Sequence, residues 1–312
     1  MLSYLKKRYL LPEFERIKKR IKGRVEENFP LRSITSFGVG GPADLFVLPQ
    51  DEEDILNTIE YAKQGGLPLT FIGRGTNLLV RDGGIKGIVV SLKDGLKYIR
   101  QEKSCLTVGA GVPLPFLAKV VMDQGLSGFE FAWGIPGTVG GAVVMNAGAF
   151  GGCIADFLEE VVTLDFEGNR RVYRRDELVF SYRKSGLQER GEIVLEAKFC
   201  FEKKKDPKEI FKKMKEIDTA RRKTQPIGAK TAGSVFKNPD GAYAGKIIED
   251  LGLKGARIGD AVVSYVHANF IENIGNATAR DIEDLILYIK KTVKEKIGIE
   301  LSTEVEILGC RD

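Results

Sequence analysis

The chain has a single histidine and only four cysteines, Cys105, Cys153, Cys200 and Cys310, dispersed over 312 residues with no C-x-x-C pair. One imidazole and scattered thiols supply no zinc ligand set, so neither a metal site nor a disulfide framework is expected. No apolar run is long enough to span a bilayer, and membrane insertion is not expected. Lys6, Lys7 and Arg8 interrupt the leucines at Leu2, Leu5, Leu10 and Leu11, leaving no signal-peptide core. A reducing cytoplasm is the expected compartment, and the Asn276-Ala277-Thr278 sequon reads as accidental. Long blocks of one charge sign are also missing. The net charge of +5 is spread through a chain that is 29% charged and 43% hydrophobic. That mixture describes an ordinary globular protein, and without a basic recognition element it predicts no nucleic-acid binding. There is no solenoid repeat and no low-complexity tract.

What is present is an alternation of short apolar strands and amphipathic helices. Phe14, Ile17 and Ile21 recur at helical spacing from Glu13, so residues 1–29 read as an N-terminal helical unit. Strands are predicted over 46–48 and 67–72, flanking a helix over 51–64 that begins in acids and stops at Gly65-Gly66. Further strands are expected over 85–92 and 105–108, a helix over 113–124, and a hairpin turning at 167–169 between 161–165 and 170–173. A strand at 193–201 precedes Asp206-Pro207-Lys208-Glu209, a helix start with a capping acid, a proline at the first turn and a glutamate beyond. Lys203 to Lys205, Lys212, Lys213 and Lys215 fit a solvated helix face, because Ile210, Met214 and Ile217 mark the buried stripe. Helices over 243–251 and 279–296, the second capped by Thr278, lead to a closing strand at 301–308. The divisions follow at 1–29, 30–205 with lobes 30–95 and 96–205, and 206–312.

Glycine is densest in two places, Gly73 to Asn77 and Gly134 to Gly152. Gly73-Arg74-Gly75-Thr76-Asn77-Leu78 begins like a dinucleotide fingerprint but has Leu78 where a third glycine would allow close helix packing. Gly228-Ala229-Lys230-Thr231 separates Gly from Lys and lacks the upstream glycine of a Walker loop. With both patterns excluded, two separate glycine loops remain. Exposed main-chain N–H groups, with Thr76, Asn77, Thr138 and Asn146 adding side-chain hydrogen bonds, suit a large diphosphate cofactor. Tight turns with close chain packing are the alternative.

The segments IGRGTNLLVRDGG from Ile72 and GIPGTVGGAVVMNAGAFGG from Gly134 resemble the two flavin-binding segments of the UDP-N-acetylenolpyruvoylglucosamine reductase family. FSYRKSGL from Phe180, AGSVFKNP from Ala232, GLKGARIGDAVVSYVHANFIEN from Gly252 and LSTEVEILG from Leu301 follow in the family's order. The resemblance covers the chain after residue 30. It implies an α+β protein with a two-lobed FAD-binding domain of the PCMH/vanillyl-alcohol-oxidase type and a C-terminal α/β substrate domain, whose last strand returns to the active site. Noncovalent FAD would rest on Gly73, Arg74, Gly75, Thr76, Asn77 and Leu78, and on Gly137, Thr138, Val139, Gly140, Gly141, Asn146, Ala147 and Gly148. NADPH would reduce the flavin, and hydride would pass from flavin N5 to the methylene carbon of a UDP-linked enolpyruvyl amino sugar, giving UDP-N-acetylmuramate. A monomer is expected.

Such chemistry places negative charge on the carbon beside the substrate carboxylate, so it needs a stabilising cation and a proton donor. The resemblance assigns these to Arg183 and Ser234, with Glu304 holding the intermediate or relaying a proton. On local sequence alone Arg183 reads as a strand-end ion-pair partner and Ser234 as a turn residue. Tyr182, Asn238, His267 and Lys223 match substrate-binding positions, and Lys230 is a second candidate for the diphosphate. Glu306 departs from the family, which often has an arginine there. No tyrosine lies between Arg183 and Ser234, which fits the branch without a tyrosine lid. An FAD-linked oxidase on the same architecture is the competing reading, although neither glycine loop carries a histidine for covalent flavin attachment.

Overall fold

The computed structural model describes residues 15–311, so Phe14 and the N-terminal leucines lie outside the described residues. Residues 15–20 are helical, and Ile17 and Ile21 are buried against the helix Glu52–Gly65 and its sheet. That helix starts at Asp51, whose carboxylate accepts from the Asp54 N–H, and stops at Gly66 in the left-handed region. It links the parallel strands Pro42–Leu48 and Leu69–Ile72, with Ile85–Ser91 inserted between them and Arg24–Pro30 antiparallel at the edge. The edge strand is absent from the sequence expectations: its half-polar run RVEENFP lacks a clean alternation, because only one neighbour covers it.

A second sheet orders Arg170–Arg174, Leu158–Leu164, Ile193–Cys200, Cys105–Gly109 and Ile99–Glu102. All its neighbours are antiparallel. Phe129, Phe131, Phe157, Phe199 and Phe201 pack beside it, with Phe129 in ring contact with the other four. The helix Pro207–Thr224 buries Ile210 and Met214 in this same core. One expectation fails here: Cys105 and Cys200 stand opposite each other in the register and form a disulfide. Their separation of 95 residues conceals a pairing that only the strand order creates.

The C-terminal part has its own core, where Ile282, Leu285, Ile286 and Ile289 of the helix Ala279–Ile297 cover a three-stranded sheet, Arg257–Ile258, Ala261–Val263 and Ile271–Asn273. Thr278 and Asp281 cap that helix reciprocally. The chain then returns to the first lobe. Only Glu306–Leu308 is regular strand, parallel to Leu78–Val80. The junction is reinforced by Arg81, which bonds both carboxylate oxygens of Glu283, with Arg311 on the same group. These cations hold the Glu283 pKa down at about 2, with Arg81 the larger cause.

Candidate active site

The three parts enclose one cavity of about 800 Å³ lined by both glycine loops, by Arg183, by residues 225–229 and 231–234 with Lys230 outside the lining, and by Glu304 and Glu306. The loops are built against each other. Thr76 Oγ1 donates to the Pro136 carbonyl at 3.2 Å. A Cβ on Gly73 would come within 2.9 Å of Thr138 Oγ1, so a side chain there would have to displace the hydroxyl that sits where the loops meet. Gly137 has φ +139°, outside the range of ordinary L-residues. Among the described residues no acceptor takes the main-chain N–H groups of Gly73 to Asn77, nor those of Gly137 and Thr138. A cradle of unclaimed N–H groups with apolar walls from Phe71, Ile135 and Val194 fits a flavin dinucleotide: the donors meet its phosphates and the walls its rings.

Gly73 to Leu78, Gly137, Thr138, Gly140, Gly141, Ala147 and Gly148 all line the cavity, as the flavin expectation requires. Val139 and Asn146 do not. Val139 is fully buried and donates its N–H to the Val112 carbonyl. Asn146 is 6% exposed and engages both ends of its amide elsewhere in the protein. Both stand behind the lining, and short-range motif matching does not separate residues facing a cavity from those supporting the loop behind it.

Arg183 occupies the two-residue turn between Phe180–Ser181 and Lys184–Ser185, with φ +56°. Holding a non-glycine residue there costs about 1–2 kcal/mol. Its Nε donates to Glu304 Oε1 at 2.5 Å, and its guanidinium lies 5.1 Å from the Tyr182 ring centre. Burial pushes the Glu304 carboxyl up from the ordinary range, while Arg183 pulls against it. Ser234 faces the same cavity from a segment paired with Phe270. The Glu304 N–H donates to the Val235 carbonyl at 2.8 Å, so the serine and carboxylate segments are joined directly.

The substrate-binding expectations are distributed differently. Tyr182, Asn238, His267 and Lys223 are outside the cavity lining. Asn238 Oδ1 accepts from the Ala244 N–H, so this side chain starts a helix. His267 Nδ1 accepts from the Asn269 N–H, and burial pushes its pKa down, consistent with a neutral ring. Lys223 and Lys230 are exposed. Glu304 and Glu306 both face the cavity, Glu304 partly buried and Glu306 exposed.

Two contributors escape sequence reasoning. Arg221 lines the cavity with its side chain against Gly134. Burial lowers its pKa, and among the described residues no carboxylate hydrogen-bonds its guanidinium. It is a cation whose setting calls for an anion. Asn269 is buried and brackets Phe236, accepting from its N–H and donating to its carbonyl, while the Asn269 carbonyl accepts from Val235. It thereby fixes the segment that follows Ser234.

The FAD binding domain family matches residues 43–172, and the family described as UDP-N-acetylenolpyruvoylglucosamine reductase, C-terminal domain, matches residues 225–308. The UDP-N-acetylenolpyruvoylglucosamine reductase of Desulforamulus reducens is 46% identical over 290 residues, covering 93% of this chain and 95% of that protein. That of Caldanaerobacter subterraneus is 46% identical over 95% of this chain and 97% of its own length. The crystal structure of the enzyme from Thermus caldophilus superposes with a TM-score of 0.78 at 38% identity, covering 93% of this chain and all of that one. The fold is therefore the expected α+β class, an FAD-binding domain joined to a reductase C-terminal domain, and FAD is the cofactor.

Proposed function

Because the chain belongs to the UDP-N-acetylenolpyruvoylglucosamine reductase family and is an FAD-dependent oxidoreductase, we propose that it reduces UDP-N-acetyl-3-O-(1-carboxyvinyl)glucosamine to UDP-N-acetylmuramate at the expense of NADPH. The observation that carries this reading is the convergence of Arg183, Ser234 and Glu304 on the cavity lined by both glycine loops. Bound FAD, once reduced, supplies hydride to the methylene carbon. Gly73 to Asn77, Gly137 and Thr138 are the residues whose unclaimed main-chain N–H groups would hold its phosphates. Arg183 takes the substrate carboxylate and stabilises the negative charge that develops beside it, where its planar fork is worth most because the site is partly desolvated. Substrate binding exchanges the Arg183–Glu304 pair for an Arg183–substrate pair. Ser234 delivers a proton to the carbon alpha to the carboxylate. Its hydroxyl is a weak acid in water, and the strongly basic carbanionic enol provides the driving force. Glu304, with its raised pKa, replaces that proton or steadies the intermediate.

Asn238, Tyr182, Lys223 and His267 remain candidates for the nucleotide end, and Arg221 is the better-placed cation for a phosphate or carboxylate. The division into lobes 30–95 and 96–205 and a substrate domain 206–312 is part of the proposal, as is a monomeric enzyme. A cytoplasmic location follows from both reactants being nucleotide-linked anions that do not cross a bilayer unaided. The Cys105–Cys200 disulfide runs against it, since such bonds persist mainly in oxidising compartments.

The FAD-loaded protein should oxidise NADPH rapidly only when the enolpyruvyl nucleotide is present, with N-acetylmuramyl nucleotide formed in equal amount. Rapid oxygen consumption with an alcohol or hydroxy acid, and no NADPH-dependent turnover of the enolpyruvyl nucleotide, would instead identify a flavin oxidase.

A further inference from the structure

The turn that carries Arg183 has little of its own to hold it. Its hairpin consists of two residue pairs, Phe180 with Ser185 and Ser181 with Lys184, and a ribbon that short is unstable alone. Besides the Arg183–Glu304 pair, two anchors come from the second glycine loop. Asn146 Nδ2 donates to the Ser181 carbonyl at 2.9 Å, and Ser185 Oγ donates to the Val144 carbonyl at 2.7 Å, so each strand is tied to residues 144–146. Asn146 Oδ1 accepts from the Ala155 N–H at 3.1 Å, which fixes the amide's orientation. The side chain is buried outside the cavity lining. Its φ of +42° is a conformation that asparagine tolerates and most side chains do not.

From these contacts we infer that Asn146 is a positioning residue for the reduction step: it transmits the location of the flavin loop to Arg183 through the Ser181 carbonyl, and does not itself contact the cofactor. The loop that cradles one reactant thereby sets the cation that receives the other. The inference rests on the proposed reductase reading for the role of Arg183, while the anchoring of the hairpin stands on geometry alone.

The test uses the FAD-loaded full chain and Asn146→Gly, which keeps the left-handed backbone available and deletes only the amide. Flavin content and the rate of flavin reduction by NADPH should stay within about twofold of wild type. Reoxidation by the enolpyruvyl nucleotide should slow by about 10- to 100-fold, as expected for a catalytic group displaced by roughly 1 Å. Amide hydrogen exchange over residues 180–185 should accelerate while exchange over 73–77 does not. Asn146→Asp is the second variant: it retains an acceptor for Ala155 but sets a carboxylate against the Ser181 carbonyl, and should show the same split. Loss of flavin affinity together with flavin reduction would make Asn146 a cofactor ligand and overturn the inference, as would unchanged reoxidation or unchanged exchange at 180–185. If wild-type flavin is not reoxidised by the nucleotide, the reductase reading fails, and the exchange measurement still decides whether Asn146 anchors the turn.

Discussion

Ser234 reaches the cavity at the start of a segment whose following residues are fixed on both sides, by the Asn269 amide and by the Glu304 main chain. A serine on a backbone fixed in this way is presented to the cavity from a constant position, which helps a weak acid act as a donor. Ser234→Ala should leave NADPH reduction of the flavin nearly intact and slow its reoxidation by the enolpyruvyl nucleotide by about 10²- to 10⁴-fold. Stopped-flow comparison of the two half-reactions checks this, and equal losses in both would assign Ser234 to folding or to cofactor binding. At this scale the sequence discloses chemistry better than support. Arg183, Ser234 and Glu304 stand in recognisable motifs, and all three face the cavity. Asn269 acts through Phe236 and Arg221 meets the cavity beside Gly134, both distant in the chain, and nothing local distinguishes them from ordinary polar residues. Asn146 lies in a legible motif yet points away from the ligand, because loop conformation decides its direction.

Among elements, the helices were the most legible. Their caps and apolar spacing predict Glu52–Gly65 and Ala279–Ile297 to within about two residues, the usual ambiguity of helix ends, and the start of Pro207–Thr224. The half-polar edge strand Arg24–Pro30 was not legible, nor was the pairing of Cys105–Gly109 with Ile193–Cys200. That second pairing brings Cys105 beside Cys200. Closing a loop of this length removes denatured-state entropy worth about 5 kcal/mol in the chain-entropy treatment, so Cys200→Ser, or reduction of the wild type, should lower Tm by roughly 5–15 °C. Differential scanning calorimetry with and without reductant measures the shift. A Tm indifferent to reductant, with all four thiols titrating in unreduced denatured protein, would mean that the bond does not form in solution.

For the whole molecule, the chain order explains why the site has three contributors. The first lobe supplies one glycine loop, and the second supplies the other together with Arg183. The C-terminal part supplies Ser234, then returns through Glu304 to pair Glu306–Leu308 with Leu78–Val80. Asn77 closes this circuit by donating to the Glu304 carbonyl and accepting from the Glu306 N–H. The glycine loop and Glu304 are thereby adjacent in space although more than two hundred residues apart in sequence. The central claim is that this arrangement delivers flavin electrons to an enolpyruvyl nucleotide. Its most direct test leaves NADPH out: photoreduce the enzyme-bound FAD under anaerobic conditions, add UDP-N-acetyl-3-O-(1-carboxyvinyl)glucosamine, and follow the flavin absorbance. Oxidised flavin should return stoichiometrically with the nucleotide added. A flavin that stays reduced until oxygen is admitted would contradict the account.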